Sequence, residues 1–307
     1  MAAFTLSMSN DRSESIMQVQ ESLTEFDIEP KSELTSNIFC GSMCKQMDKQ
    51  QDLGVHGLYE KGYYIGAFDG HGFNGCINIL RQLDYSLIAN DPVSIKKATD
   101  GWLYNSGSTM NFTTIQMNKK DEDEIIVTNY NAGDSECMIF VNDQLVFESI
   151  SHTLSRPGER ERLRPFLQNI RPITGAWAPI PLSDRRMSVH RSDISNYKTG
   201  ESLVPTMALG HNNMTGFEPD INVFRFNLTD HVRIVSGSDG FWGMIVKTLD
   251  EPRLKTAKLE ELIDFAEKRW KQEWEYAADI NKPDNIEMTH FPGYDDITVC
   301  IWDNKYQ

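Results

Sequence analysis

Four acidic sites in this chain stand where an apolar run meets a turn. Asp69-Gly70-His71-Gly72 follows the run 63–68, and Asp239-Gly240 follows 232–238. Asp295-Asp296 comes immediately before 297–302, and Gly133-Asp134 precedes another strand-like segment. Such runs read as buried strands, and glycines beside them let the backbone turn tightly and approach a ligand closely. Asp-Gly alone is an ordinary turn pair. Repeated at several strand ends, it points to a hard divalent cation, because Mg²⁺ and Mn²⁺ prefer oxygen ligands and keep several waters beside a few carboxylates. Zinc is not expected: Cys40 and Cys44 have no second Cys or His pair at a suitable spacing, and His56, His152, His190, His231 and His290 show no ligand pattern.

The elements that must position these acids are legible in outline. Strand-like content occupies 63–68, 109–117, 124–130, 231–235 and 297–302, and 37–44 is a short apolar segment. The runs 137–141 and 145–147 flank Asn142-Asp143, a hairpin signal. Ile77, Leu80, Leu83 and Leu87 recur at near-helical spacing behind Asn74, a capping residue type, and 254–278 reads as one long amphipathic helix. After a short helical stretch at 158–167, Pro172, Pro179 and Pro181 break any period, so about 156–205 is expected to be a loop-rich insert. Runs of consecutive strands with separate helices predict an α+β fold with antiparallel sheets. Residues 1–32 read as a tail or peripheral segment and 33–307 as a single domain.

Composition excludes several classes. The chain has 307 residues with 39% hydrophobic and 24% charged, which suits a globular body rather than disorder. A formal net charge of -15 argues against nucleic-acid or anionic-membrane partners, and forces any phosphate chemistry onto local cations. Five scattered cysteines describe no disulfide framework, and no signal peptide or long apolar span is present. The expected setting is intracellular, cytoplasmic or nuclear, with a monomeric chain. The sequons at Asn111, Asn213 and Asn227 then have no role. Trp102, Trp177, Trp242, Trp270 and Trp274 read as packing aromatics.

The ordered segments resemble the metal-dependent serine/threonine phosphatases of the protein phosphatase 2C family. Phe68-Asp69-Gly70-His71-Gly72 is similar to its hallmark, Gly107-Ser108-Thr109 to its Gly-Ser/Thr-Thr strand start, and Asn131-Ala132-Gly133-Asp134-Ser135 to its Asn-x-Gly-Asp-Ser turn. Glu159, Arg162 and Leu163 match a Glu-x-x-Arg-Ile/Leu helix, and Ala208-Leu209-Gly210 matches the end of Ser-Arg-Ala-x-Gly-Asp. Ser238-Asp239-Gly240-Phe241-Trp242 and Asp295-Asp296-Ile297-Thr298 complete the order. The resemblance spans about 37–302. It implies a β-sandwich of two antiparallel sheets flanked by helix pairs, in four αββα layers, with two Mg²⁺ or Mn²⁺ ions in a cleft at one end. It further implies that Asp69 bridges the ions, that the Gly70 carbonyl binds one, that Asp239 and Asp295 hold the other, and that His71 is the general acid. The implied activity is hydrolysis of phosphoserine or phosphothreonine in proteins by a metal-activated water.

The chain departs from the family at four places. The N-terminal Arg-x-x-x-Glu-Asp motif is blurred. Asp52 is the candidate for its acid, with Asp48 a rival, and Lys45 or Lys49 stands in for the phosphate-binding Arg without its bidentate fork. Gly243 replaces an acid that, with Asp134 and Asp239, would hold a third, weaker ion, so that ion is expected to be weak or missing. Thr206-Met207 and His211 replace Ser-Arg and Asp around Ala208, and Ser151-His152 replaces Asp-His; both changes are expected to touch packing rather than the ion core. A catalytically inactive scaffold is the alternative these departures keep open.

Overall fold

The chain begins with three strands, Phe39–Lys45 (β1), Asp52–Tyr59 (β2) and Gly62–Gly72 (β3), then the short helices Gly75–Leu80 (α1), Tyr85–Ile88 (α2) and Lys96–Thr99 (α3). Strands Ser106–Ser108 (β4), Met110–Asn118 (β5), Glu124–Ala132 (β6), Glu136–Val141 (β7) and Gln144–Glu148 (β8) follow. Glu159–Arg162 (α4) opens a run of short strands: Ile170–Ile173 (β9), Ala178–Pro181 (β10), Arg186–His190 (β11), Asp193–Asn196 (β12), Ser202–Leu203 (β13) and Leu209–Gly210 (β14). Asp220–Asn227 (β15) and Val232–Gly237 (β16) lead to the helices Asp239–Trp242 (α5), Lys247–Thr256 (α6) and Leu259–Lys271 (α7), then Trp274–Ala277 (β17), Ile286–Thr289 (β18) and Ile297–Asp303 (β19). The computed structural model describes residues 38–100, 105–118, 123–168, 170–173, 178–190, 193–196, 202–277 and 286–306. The tail expected at 1–32, Trp102 and Trp177 lie outside them.

Two larger antiparallel sheets dominate. One orders β1-β19-β16-β7-β8; the other orders β14-β4-β3-β5-β6-β15, with β2 also paired to β3. Ile65, Ile115 and Val127 from the second sheet meet Ile139, Ile234 and Trp302 from the first in one buried cluster. A polar seam runs beside them. Asn129 donates to Asn111 and Thr113 at 3.0 and 2.9 Å, Asn111 donates to Asn131 at 2.9 Å, and Ser236 crosses from the other sheet to Asn111 at 2.9 Å. Each member is a buried amide or hydroxyl that would be costly if left unpaired. The fully buried Asn111 is therefore a sheet-joining residue, out of reach of a sugar.

Helices cover the outer faces. Ile77, Leu80 and Tyr85 of α1 and α2 pack with Phe68 and Phe112. Leu262, Ala266 and Trp270 of α7 pack with Val299 and Ile301. The result is a mixed α/β architecture of antiparallel sheets flanked by helices, a sandwich in general terms.

Four local expectations change. The helix read from Ile77 to Leu87 is two pieces, because Asp84 turns extended and its carboxylate caps Ser86 N at 3.0 Å. The long helix read over 254–278 is also two, α6 and α7, split where Ala257 and Lys258 are extended, and its last residues become β17. The stretch 156–205, read as loop, carries β9 to β13. These join small sheets, β13-β12-β9 and β10-β11-β17-β18, that no local period announces. Finally, β11 pairs parallel with β17, against an all-antiparallel expectation; the long chain between them permits this. The Asn142-Asp143 hairpin has positive φ at both residues (49° and 64°), as a tight two-residue turn requires. All five cysteines are free.

Candidate metal centre

Asp69 lies where β3 changes partners. Its residues up to Ala67 pair with β5, those from Gly70 pair with β4, and Thr109 fills the joint between those two strands. Thr109 N donates to the Asp69 carbonyl at 2.9 Å, and Asp69 N donates to Thr109 Oγ1 at 3.1 Å. Thr109 Oγ1 also meets Ser135 Oγ at 2.6 Å, which ties the neighbouring Asp134 turn to the same joint. Asp134 connects the two sheets between β6 and β7. Asp239 follows β16 and Asp295-Asp296 precede β19, and those strands are adjacent and antiparallel, so both acids emerge at one end. Ser238 fastens that end: Thr298 N donates to its Oγ at 3.1 Å and Ser238 N donates to the Thr298 carbonyl at 3.1 Å. The hydroxyl residues of the ordered motifs thus brace the backbones that carry the acids.

Asp69, Asp134 and Asp239 each bring a carboxylate oxygen within 4.8 Å of the others. Asp69 and Asp134 are buried. Asp52 starts β2 directly opposite Asp69 in register, whereas its rival Asp48 accepts from Tyr294 N at 2.8 Å. Asp134 Oδ1, Asp239 Oδ1 and Asp52 Oδ2 are buried oxygens with no hydrogen-bond partner. A buried carboxylate oxygen without a donor is costly unless a cation meets it, and this oxygen-only donor set suits Mg²⁺ or Mn²⁺. The triad can therefore hold one such ion. Gly70 must be glycine here because a Cβ would lie 2.5 Å from the Gln51 carbonyl oxygen.

Electrostatics reflect the crowding. Burial first, then neighbouring carboxylates, raise Asp52, Asp69 and Asp134 well above the usual carboxylate range; the foremost neighbour is Asp295 for Asp52 and Asp239 for the other two. Asp239 is pushed up to about 6 by burial and then by Asp295. Lys49 partly compensates, its Nζ lying 2.8 Å from Asp295 Oδ2. Burial alone would lower the Lys49 pKa, but Asp295, Asp239 and Asp69 hold it well above the usual range. Lys45, the other candidate phosphate cation, pairs instead with Glu267 of α7 and does not line the cleft. That cleft has a volume of about 610 Å³ and opens beside Lys49, Asp134, Asp239, Asp295, Trp242 and Lys247.

His71 has a partner that its local sequence does not disclose. Its Nδ1 lies 2.6 Å from His211 Nε2, and the two rings stack with centroids 4.7 Å apart and planes 7° from parallel. Gly107 leaves room for this ring, since a Cβ there would sit 2.2 Å from His211 Cδ2. The His211 replacement, expected to touch packing rather than the ion core, reaches the candidate general acid. Burial, then His211 and Lys49, push the His71 pKa well below its ordinary value, so the neutral imidazole prevails at neutral pH. His71 Nε2 is buried and unpartnered. At the other changed positions, Glu159 binds Arg162 and Thr206, and His152 accepts from Gly133 N at 3.3 Å.

No family model matches the chain, and no curated protein matches it. Among solved structures, the S. agalactiae serine/threonine phosphatase is similar with a TM-score of 0.50 and 17% identity, over 87% of this chain and 98% of that one. A bacterial serine phosphatase gives 0.48 and 13% over 88% and 99%, and a C. elegans sex determining protein gives 0.45 and 15% over 88% and 66%. The first likeness, at such identity, establishes a shared fold. Among the described residues no helix is long and apolar enough to cross a membrane.

Proposed function

We propose that this chain is a divalent-metal-dependent phosphatase of the protein phosphatase 2C kind, acting on phosphoserine or phosphothreonine in proteins. The observation that carries the reading is the triad Asp69, Asp134 and Asp239, in which Asp134 and Asp239 line the cleft and each keep a buried, unpartnered oxygen. The shared fold with a serine/threonine phosphatase supports it.

In this reading Asp69, Asp134 and Asp239 would hold a first Mg²⁺ or Mn²⁺ ion, which moves Asp134 from the weak third position that the resemblance gave it, and Asp52, Asp295 and the Gly70 carbonyl would complete a second position. Such ions supply an acidified water and offset charge on a phosphoryl group. The remaining work falls to side chains. With His211 donating Nε2–H to His71 Nδ1, the His71 proton resides on Nε2, the atom left free to meet a leaving oxygen. A serine alkoxide is a poor leaving group, and neutral imidazole is too weak an acid to protonate it; the His71–His211 pair must first take up a proton, so that an imidazolium gives Nε2–H to the leaving oxygen and returns to the neutral ring. Lys247 lines the cleft, paired with Glu136 and Glu148.

The test is turnover of a phosphopeptide or an aryl phosphate with Mn²⁺. Activity should vanish with a chelator and with Asp69→Asn or Asp239→Asn. A folded protein that shows no turnover at high Mn²⁺ leaves the inactive scaffold, the reading that Gly243 and the Lys49–Asp295 pair favour.

A further inference from the structure

We infer that Lys49 is a tethered cation that occupies Asp295, so that the resting centre takes one divalent ion at Asp69, Asp134 and Asp239 and takes a second only when Lys49 leaves. The inference rests on the metal-dependent reading above and adds to it a stoichiometry set by this chain's own lysine.

The first support is the contrast among carboxylate oxygens. Both Asp295 oxygens are engaged: Oδ2 accepts from Lys49 Nζ at 2.8 Å and Oδ1 accepts from Asp296 N at 3.1 Å. Asp134 Oδ1, Asp239 Oδ1 and Asp52 Oδ2 have no partner. An ammonium at hydrogen-bond distance uses the lone pair a metal would take and repels any cation brought beside it. Unpartnered oxygens thus remain at Asp134, Asp239 and Asp52, whereas Asp295 faces an ammonium that a second cation brought to Oδ2 would have to displace.

The second support is that Lys49 is delivered by its backbone. Asp296, fully buried, accepts from Met47 N and Gln51 N at 2.6 Å each, so both flanks of the lysine are fastened to the residue after its partner. Asp48 accepts from Tyr294 N at 2.8 Å on the other side of Asp295. Gln50 completes the turn with φ of 57°, a left-handed conformation uncommon for a residue with a side chain. Two carboxylates, at 48 and 296, therefore stitch the lysine loop to the Asp295 loop across 246 positions of sequence. The side chain itself is 50% exposed, which leaves the ammonium a route into the cleft when it is displaced.

The experiment titrates Mn²⁺ into the chelator-stripped full chain by calorimetry and records electron paramagnetic resonance of the bound ion, for wild type, Lys49→Gln and Lys49→Arg. Wild type and Lys49→Arg should bind one ion tightly with the uncoupled Mn²⁺ spectrum. Lys49→Gln should bind two with an exchange-coupled spectrum, its second site about tenfold tighter or more than in wild type. Wild type binding two coupled ions, or Lys49→Gln remaining at one, overturns the inference while the metal-dependent reading stands. No binding by any of the three, with native circular dichroism, overturns both. Because the Lys49 side chain is half-exposed, Lys49→Gln should fold, and Asp295→Asn, which should keep one ion, provides a second check.

Discussion

Removing a carboxylate from the centre should stabilise the metal-free protein. In Asp239→Asn the perturbation is the loss of one negative charge with little change in shape. Burial, then Asp295, pushes the Asp239 pKa up to about 6, against the pull of Lys49, the Gly240 amide and Asp69. The usual carboxylate value is 3.8, so between that pH and about 6 the folded protein holds a proton that the unfolded chain has released. Stability therefore falls as pH rises through this window, and the penalty is complete above it. A displacement of this size is worth about 3 kcal/mol, and partial exposure of Asp239 lowers the expectation to about 2. For a chain this long, that corresponds to a rise in Tm of about 3 °C. The assay is thermal and urea unfolding in chelator, at about pH 7.5 and again at about pH 5, where roughly half the gain should remain. Saturating Mn²⁺ should reverse the order: wild type gains about 2.7 kcal/mol when the ion stands a hundredfold above its Kd, and the variant gains little. An Asn variant that is less stable than wild type without metal, or whose gain is the same at both pH values, would refute the reasoning.

Three further outcomes are expected. His211→Asn removes the second-largest influence depressing His71, so His71 should titrate at higher pH by NMR, and kcat should fall with KM nearly unchanged; an unmoved His71 titration contradicts the pairing. Arg162→Ala leaves Glu159, buried and bonded to Thr206, without its cation, and should cost about 3 to 5 kcal/mol in urea unfolding. A loss below about 1 kcal/mol, the ordinary worth of an exposed pair, contradicts that role. Gly243→Asp adds a carboxylate beside Asp239 but brings a Cβ to 2.7 Å from the Asp239 carbonyl oxygen, so Mn²⁺ binding should tighten while apo stability drops by about 1 to 3 kcal/mol; unchanged stability would show that the turn relaxes freely.

What was legible in the sequence is local. Asp69, Asp134, Asp239 and Asp295 were marked by apolar runs meeting turns, and Asn142-Asp143 by its tolerance of positive φ, because strand periodicity and turn geometry depend on neighbouring residues. The β-rich architecture was legible for the same reason. Only the tertiary structure sets Asp52 opposite Asp69 in register and turns Asp48 to the Tyr294 amide. It alone brought His211 to His71 across 140 positions and Lys49 to Asp295 across 246. It also made strands of the proline-rich stretch and broke both long helical readings. Propensity is a weak prior that pairing partners override, and a side chain's charge becomes chemistry only when folding selects which distant carboxylate it faces.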